Sequence, residues 1–180
     1  MNSKKRVVIV HGWTGHPEYV WYPHTKRVLE EKGFEVVVPA LPDSQMPDLA
    51  RWLTVLRETI GEPSRDLILV GHSLGCALIL RYLDELPKEE RVRGVILVAG
   101  FASAMETPEL EPFFPSPHDF EKIKTHAEKF ICLHSDNDHF VPLKYGQELE
   151  EKLGGKLILK PGAGHFSTNP ENGVICEELL

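Results

Sequence analysis

Short apolar, β-branched runs return along the chain at a steady interval. They are Arg6–Val10, Glu35–Pro39, Asp66–Val70, Arg93–Ala99, Lys129–Leu133 and Lys156–Lys160, and their starts are separated by 29, 31, 27, 36 and 27 residues. Most are apolar throughout rather than alternating, the pattern of strands covered on both faces. Helical periodicity fills the intervals. Leu49, Trp52, Leu53, Leu56 and Ile60 fall at i, i+3, i+4, i+7 and i+11, one face of a helix. Gly33 after Glu30-Glu31-Lys32, and Gly154-Gly155 after a helix over Pro142–Leu153, read as helix C-caps. Strand alternating with helix at this spacing predicts βαβ units and a parallel sheet, with right-handed crossovers placing helices on both faces. The rhythm breaks once, at Thr107–Pro117. Pro108, Pro112, Pro115 and Pro117 there exclude a regular helix or a central strand. Ser116-Pro117 then reads as N-cap and N1 of a helix reaching His126.

Composition narrows the function classes. A chain of 180 residues is the size of one domain, large enough to bury a core without disulfide or metal staples. Its 20 Lys+Arg against 27 Asp+Glu give a formal charge of −7, the wrong sign for a nucleic-acid binder. The longest uncharged stretch, Leu67–Leu80, is too short to span a membrane and is interrupted by Gly71, His72, Ser73 and Gly75. Val7–Val10 is too short for the apolar region of a signal peptide. Three cysteines (Cys76, Cys132, Cys176) without C-x-x-C spacing suggest a reduced, cytoplasmic protein.

The chemistry concentrates after the third strand. Leu67-Ile68-Leu69-Val70 runs into Gly71-His72-Ser73-Leu74-Gly75 and then a helical stretch from Cys76 to Leu86. This is G-x-S-x-G in its required setting of strand, sharp turn and helix. So tight a turn leaves no room for side chains at 71 and 75. It lifts the Ser73 hydroxyl above the carboxyl edge of the sheet, where the helix N-terminus favours developing negative charge. A serine nucleophile needs a base, and the base needs an orienting acid. Candidates for both follow later strands: His134-Ser135-Asp136-Asn137-Asp138-His139 after the fifth, and Gly164-His165-Phe166 after the sixth.

Gly71-His72-Ser73-Leu74-Gly75, Asp138-His139-Phe140-Val141-Pro142 and Gly164-His165-Phe166 resemble the elements of the α/β-hydrolase superfamily. More closely, the chain resembles the small retinoblastoma-binding-protein-9-like and YdeN-type serine hydrolases. Val8-Ile9-Val10-His11-Gly12, Gly33-Phe34-Glu35, Leu41-Pro42-Asp43 and Phe120-Glu121-Lys122-Ile123-Lys124 extend the likeness along the chain. The resemblance implies Ser73 as nucleophile, Asp138 as acid and His165 as base. It implies a minimal α/β-hydrolase fold, a six-stranded parallel sheet in order 2-1-3-4-5-6, in one domain over residues 1–180 without a separate cap. Some members bind the retinoblastoma protein through L-x-C-x-E. Val174-Ile175-Cys176-Glu177-Glu178 has Val where that motif requires Leu, a departure that leaves the protein partner unknown.

Other readings compete for the same residues. Asp136 rivals Asp138 as the acid, but the D-x-x-V-P frame favours Asp138. The His134–His139 cluster lacks the spacing of a helical zinc site and the Gly and terminal Glu of an EF-hand, so no metal is expected. His11-Gly12-Trp13-Thr14-Gly15 does not spell a dinucleotide turn. It reads better as an oxyanion loop, with the N–H of Trp13 paired with that of Leu74. His16, His24, His118 and His126 show no partner pattern and are expected on surfaces or loops, and His72 is expected to be structural. Phe101, Phe113 and Phe114, faced by Trp13, Tyr19, Trp21 and Tyr22, are expected to wall a shallow site. The expected function is cofactor-free hydrolysis of small acyl esters or amides. The alternative is an interaction module that keeps the hydrolase fold with little catalysis.

Overall fold

The structure is a computed structural model describing residues 5–167. Strand β1 (Arg6–Val10) leads to helix α1 (Tyr22–Glu31), then β2 (Glu35–Val37), α2 (Leu49–Ile60), β3 (Leu67–His72) and α3 (Leu74–Asp84). The second half contains β4 (Gly94–Val98), a 3-10 turn (Pro108–Phe113), α4 (Phe120–Lys124), β5 (Phe130–His134), α5 (Leu143–Leu153) and β6 (Lys156–Leu159). Every strand pair is parallel, and the order is β2-β1-β3-β4-β5-β6, as the sequence implied.

The pleat sorts each strand's apolar residues onto two faces. Val8, Val10, Leu67, Leu69, Val95, Leu97, Phe130 and Cys132 point to one face, where they meet α2, α3 and α5. Val7, Ile9, Ile68, Val70, Ile96, Val98, Ile131 and Leu133 point to the other, covered by Trp21, Tyr22 and Leu29 of the α1 region and by Phe166. Because both faces are buried, the strands read as continuous apolar runs. Full burial of one side chain such as Leu56 contributes about 2 kcal/mol. The α2 periodicity aims Trp52, Leu53, Leu56 and Ile60 at the core. Asp48 starts that helix by accepting the N–H of Arg51 at 2.8 Å. Helix α5 ends at Gly154 in the left-handed conformation, φ 61°.

Three expectations need correction. First, β3 extends to His72 and α3 begins at Leu74, so the elbow is tighter than a helix starting at Cys76 suggests. Second, the proline-rich stretch does form a short 3-10 turn. Pro108 lies at its start, and Pro112 is tolerated because a 3-10 turn lacks the i−4 carbonyl that an α-helix would set against the ring. Third, Ser116 does not cap the next helix. Asp119 does, accepting the N–H of Lys122 at 3.0 Å, and the helix covers only Phe120–Lys124. Ser116 is taken instead by the buried Arg81 of α3. The Arg81 guanidinium donates to its carbonyl at 2.5 Å and to its hydroxyl at 3.2 Å. A tertiary partner has overridden a locally sound capping signal.

Candidate active site

Ser73 stands between β3 and α3 with φ 54° and ψ −123°, a strained conformation for a residue with a side chain. The surrounding backbone enforces it. A methyl group at position 75 would lie 2.3 Å from the Val10 carbonyl oxygen and 2.7 Å from that of His11. One at position 71 would lie 2.8 Å from Cα of Cys76. The Ser73 N–H donates to the Val98 carbonyl at 2.9 Å, pinning the elbow to the end of β4. Gly12 comes equally close from β1: a methyl there would lie 2.9 Å from Cβ of Ser73 and 3.3 Å from the Leu74 nitrogen. The loop carrying Trp13 is thereby pressed against the elbow. Leu74, the first residue of α3, offers one of the N–H groups that a helix start leaves without an intrahelical partner.

Asp138 and His165, the expected acid and base, come together in the fold. His165 Nδ1 and Asp138 Oδ2 are 2.8 Å apart, with the carboxylate buried. The other oxygen of Asp138 accepts the N–H groups of Phe140 and Val141, each at 2.9 Å. Burial pushes the Asp138 pKa up, but the bond and charge of His165 and these two amides outweigh it and hold the carboxyl below its ordinary value. Asp136 has a different place. It is exposed and accepts the N–H of Gly162 at 2.8 Å, while Asn137 accepts that of Gly164 at 2.7 Å. The two rivals therefore differ in target: Asp138 meets the imidazole, and Asp136 ties the loop that carries it. Within the 134–139 stretch His134 reaches the Val141 carbonyl, the Ser135 hydroxyl donates to Asn137 at 2.7 Å, and the two aspartates hold the partners just given. Among the described residues no group of three or more His, Cys, Asp or Glu converges as a metal site would require.

Ser73, Leu74, Trp13 and His165 line one cleft of about 440 Å³. The family model for serine hydrolases matches residues 7–174. The chain belongs to the serine hydrolase family. It is 31% identical over 163 residues to YdeN of Bacillus subtilis (strain 168), covering 90% of this chain and 86% of that one. The crystal structure of the B. subtilis ydeN gene product superposes with a TM-score of 0.87, covering 91% of this chain and 88% of that one. The rat (Rattus norvegicus) serine hydrolase RBBP9 is 30% identical over 171 residues, covering 92% of this chain and 89% of its own. These likenesses establish the α/β-hydrolase fold together with the family. The Val174–Glu178 motif lies outside the described residues.

The walls of this serine hydrolase's cleft depart from the expected set. Trp13, Tyr19, Tyr22 and Phe101 line it, joined by Met105, Thr107, Leu110, Phe140 and Val141. Trp21 does not. It is wholly buried behind the cleft, 4.5 Å from the Tyr22 ring. Phe113 packs edge-on against Trp52 at 5.5 Å, and Phe114 packs behind Phe101 at 5.9 Å. Phe140, 73% exposed, stands beside the His165 ring at 5.3 Å. Among the described residues no Asp, Glu, Lys or Arg lines the cleft.

Four histidines have roles that their local sequence did not reveal. His11, at the end of β1, donates from Nδ1 to the Gly12 carbonyl at 3.0 Å and accepts the Leu41 N–H at Nε2, at 3.1 Å. His134, at the end of β5, donates from Nε2 to the Val141 carbonyl at 2.8 Å. Burial lowers the pKa of both. His118 and His126, expected on surfaces or loops, lie in a loop and a turn, but their side chains are buried. His118 packs between Phe114 and Phe120 beside Asp84, and His126 donates to the Glu90 carbonyl at 2.8 Å. His16 is exposed and His24 is half-buried, nearer to expectation.

Proposed function

We propose that this serine hydrolase cleaves small, uncharged acyl esters or amides through an acyl-enzyme on Ser73. The observation that carries the reading is the 2.8 Å contact between His165 and Asp138 beside a cleft that His165 shares with Ser73. With Nδ1 committed to Asp138, Nε2 is the nitrogen of His165 left to accept a proton. It takes the Ser73 proton as Oγ forms a bond to the substrate carbonyl carbon. The N–H groups of Trp13 and Leu74 hold the resulting oxyanion. Collapse breaks the bond to the leaving alcohol or amine, which departs with the proton from His165. Water, deprotonated by the same imidazole, then attacks the acyl group and releases the acid and free Ser73. Asp138 holds the tautomer throughout and stays ionised.

A volume of about 440 Å³ is at the small end for ligand clefts, and uncharged walls suit short acyl chains better than ionic or long-chain lipid groups. The test is labelling with a serine-reactive phosphonate, read by mass spectrometry, together with turnover of p-nitrophenyl acetate. The adduct is expected on Ser73, and Ser73→Ala should lose about 10⁴-fold or more of the rate. Asp138→Asn should lose about 10³–10⁴-fold through the wrong tautomer, and Asp136→Asn less than about tenfold. An adduct elsewhere, equal losses at the two aspartates, or an inert Ser73 as expected of a pure interaction module would each overturn the reading.

A further inference from the structure

The elbow carries a second histidine whose ring is fully occupied. His72 is the last residue of β3, immediately before Ser73, and is buried. Its Nε2 lies 2.9 Å from the backbone carbonyl of His165, and its Nδ1 lies 2.7 Å from the Tyr22 hydroxyl. A carbonyl can only accept, so Nε2 carries the proton. Nδ1 is then a lone pair and takes the Tyr22 hydroxyl proton. The chain Tyr22 O–H to His72 to His165 C=O thus has one direction and one tautomer. Tyr22 is itself wholly buried on α1, and burial raises its pKa, so it remains a donor.

We infer that His72, oriented by Tyr22, is a positioning residue that fixes the loop bearing His165 relative to Ser73. By hydrogen bonds the base loop is otherwise tied to the acid loop, through Gly162 on Asp136, Gly164 on Asn137 and the Lys160 N–H on the His134 carbonyl, while Phe166, next to His165, is buried against the sheet. Those ties hold His165 against Asp138 but do not set its distance from the nucleophile. His72 does, because it is the residue next to Ser73 and reaches across 93 positions of sequence to His165.

A neutral side chain is needed for this task. The rings of His72 and His165 are 5.0 Å apart, and His165 becomes a cation when it takes the serine proton. The titratable groups facing His72 are His165, Asp138, His11 and Tyr22. Burial and the nearby His165 hold its pKa down to about 3, so it adds no repelling charge in the neutral range. A lysine or arginine could donate to the same carbonyl but would oppose the imidazolium.

The inference rests on the reading of Ser73 and His165 as nucleophile and base, and the experiment separates the two. Wild type, His72→Leu, His72→Gln and Tyr22→Phe are compared by rate of phosphonate labelling, kcat and KM on p-nitrophenyl acetate, and thermal midpoint. His72→Leu should lower kcat and labelling rate about 10²-fold with KM little changed, the cost of misplacing a reacting group by about 1 Å. His72→Gln, whose amide can donate to the same carbonyl, should recover about tenfold of that loss. Tyr22→Phe should fall a few-fold. The proton NMR signal of the His165 Nδ1–H, shared with Asp138, should broaden in His72→Leu and persist in His72→Gln. If His72→Leu does not fold, Tyr22→Phe and His72→Gln decide: an unaltered kcat in the first, or a loss of about 10²-fold in the second, overturns the inference. So does a folded His72→Leu with wild-type kcat, or one equal to His72→Gln. A wild type that is not labelled at Ser73 overturns the triad reading and this inference with it. A labelled wild type with an indifferent His72 overturns only the latter.

Discussion

The nucleophile elbow and the proline-rich excursion over residues 100–119 both border the cleft, and they are built on opposite terms. At the elbow, backbone meets backbone. Gly75 lies against the Val10 and His11 carbonyls, Gly71 against Cys76, and the Ser73 N–H reaches the Val98 carbonyl. Nothing there can shift without moving the sheet. The excursion is held by side chains: Leu110 and Phe113 in the core, Phe113 on Trp52, and Arg81 on Ser116. Met105 and Glu106 sit there in the left-handed region, at φ 52° and 62°. Rigid main chain holds Ser73, the proposed nucleophile, and exchangeable side chains hold one wall of the cleft.

Four substitutions bear on that contrast, from the largest effect to the smallest. Gly75→Ala sets a methyl against immovable carbonyls. It should cost about 3 kcal/mol or more, or abolish soluble protein, as urea denaturation would register. Phe113→Ala removes a buried ring from the excursion and should cost about 3 kcal/mol. It should nevertheless leave the dependence of kcat/KM on acyl chain length unaltered, since Phe113 faces Trp52 and not the cleft. Met105→Ala opens the cleft wall itself. It should raise kcat/KM for butyrate relative to acetate about tenfold, with little change in stability.

The smallest effect at neutral pH is that of His118, which emerges only as the pH falls. Burial, assisted by the Arg81 cation, holds His118 down to about pKa 4, and burial with His165 nearby holds His72 to about 3. In each case the folded state binds fewer protons than the unfolded chain below the ordinary histidine value of about 6.5. Stability contributed by these groups is therefore complete above that value and lost as pH falls toward 4 and 3. His118→Gln should flatten the stability profile between about pH 6.5 and 4 while leaving kcat unchanged. A matching fall in kcat would mean that excursion and elbow are coupled.

Legibility followed the same division. Six strands and the elbow are legible because continuous apolar runs and paired glycines are local consequences of burial on two faces and of a tight turn, whereas the strand order is legible only through the family resemblance. Asp138 was separable from Asp136 by its distance from Val141-Pro142, and the two do hold different partners. What escaped was set by distant residues. Ser116-Pro117 has sound capping chemistry, but Arg81 claimed Ser116. Trp21, Phe113 and Phe114 have the right character for a cleft wall, and which way each ring turns was decided by Tyr22, Trp52 and Phe101. The binding of His72 to His165 joins residues 93 positions apart, and no spacing rule connects them.

Cys76, directly behind the elbow on α3, and Cys132, in the middle of β5, are both buried free thiols. Burial raises the pKa of each, Cys132 to about 12. A thiol in that condition is almost never a thiolate, so alkylating reagents and peroxide have nothing to attack while the sheet is closed. Each becomes reactive only when its own layer opens. The rate at which an alkylating reagent reaches Cys76 therefore times the opening of α3, the helix that follows Ser73. The rate at Cys132 times the opening of the strand that leads to the acid loop. Among the described residues these two thiols thus serve as internal clocks, one on the helix after Ser73 and one on the strand before the Asp138 loop, readable by mass spectrometry without any added label.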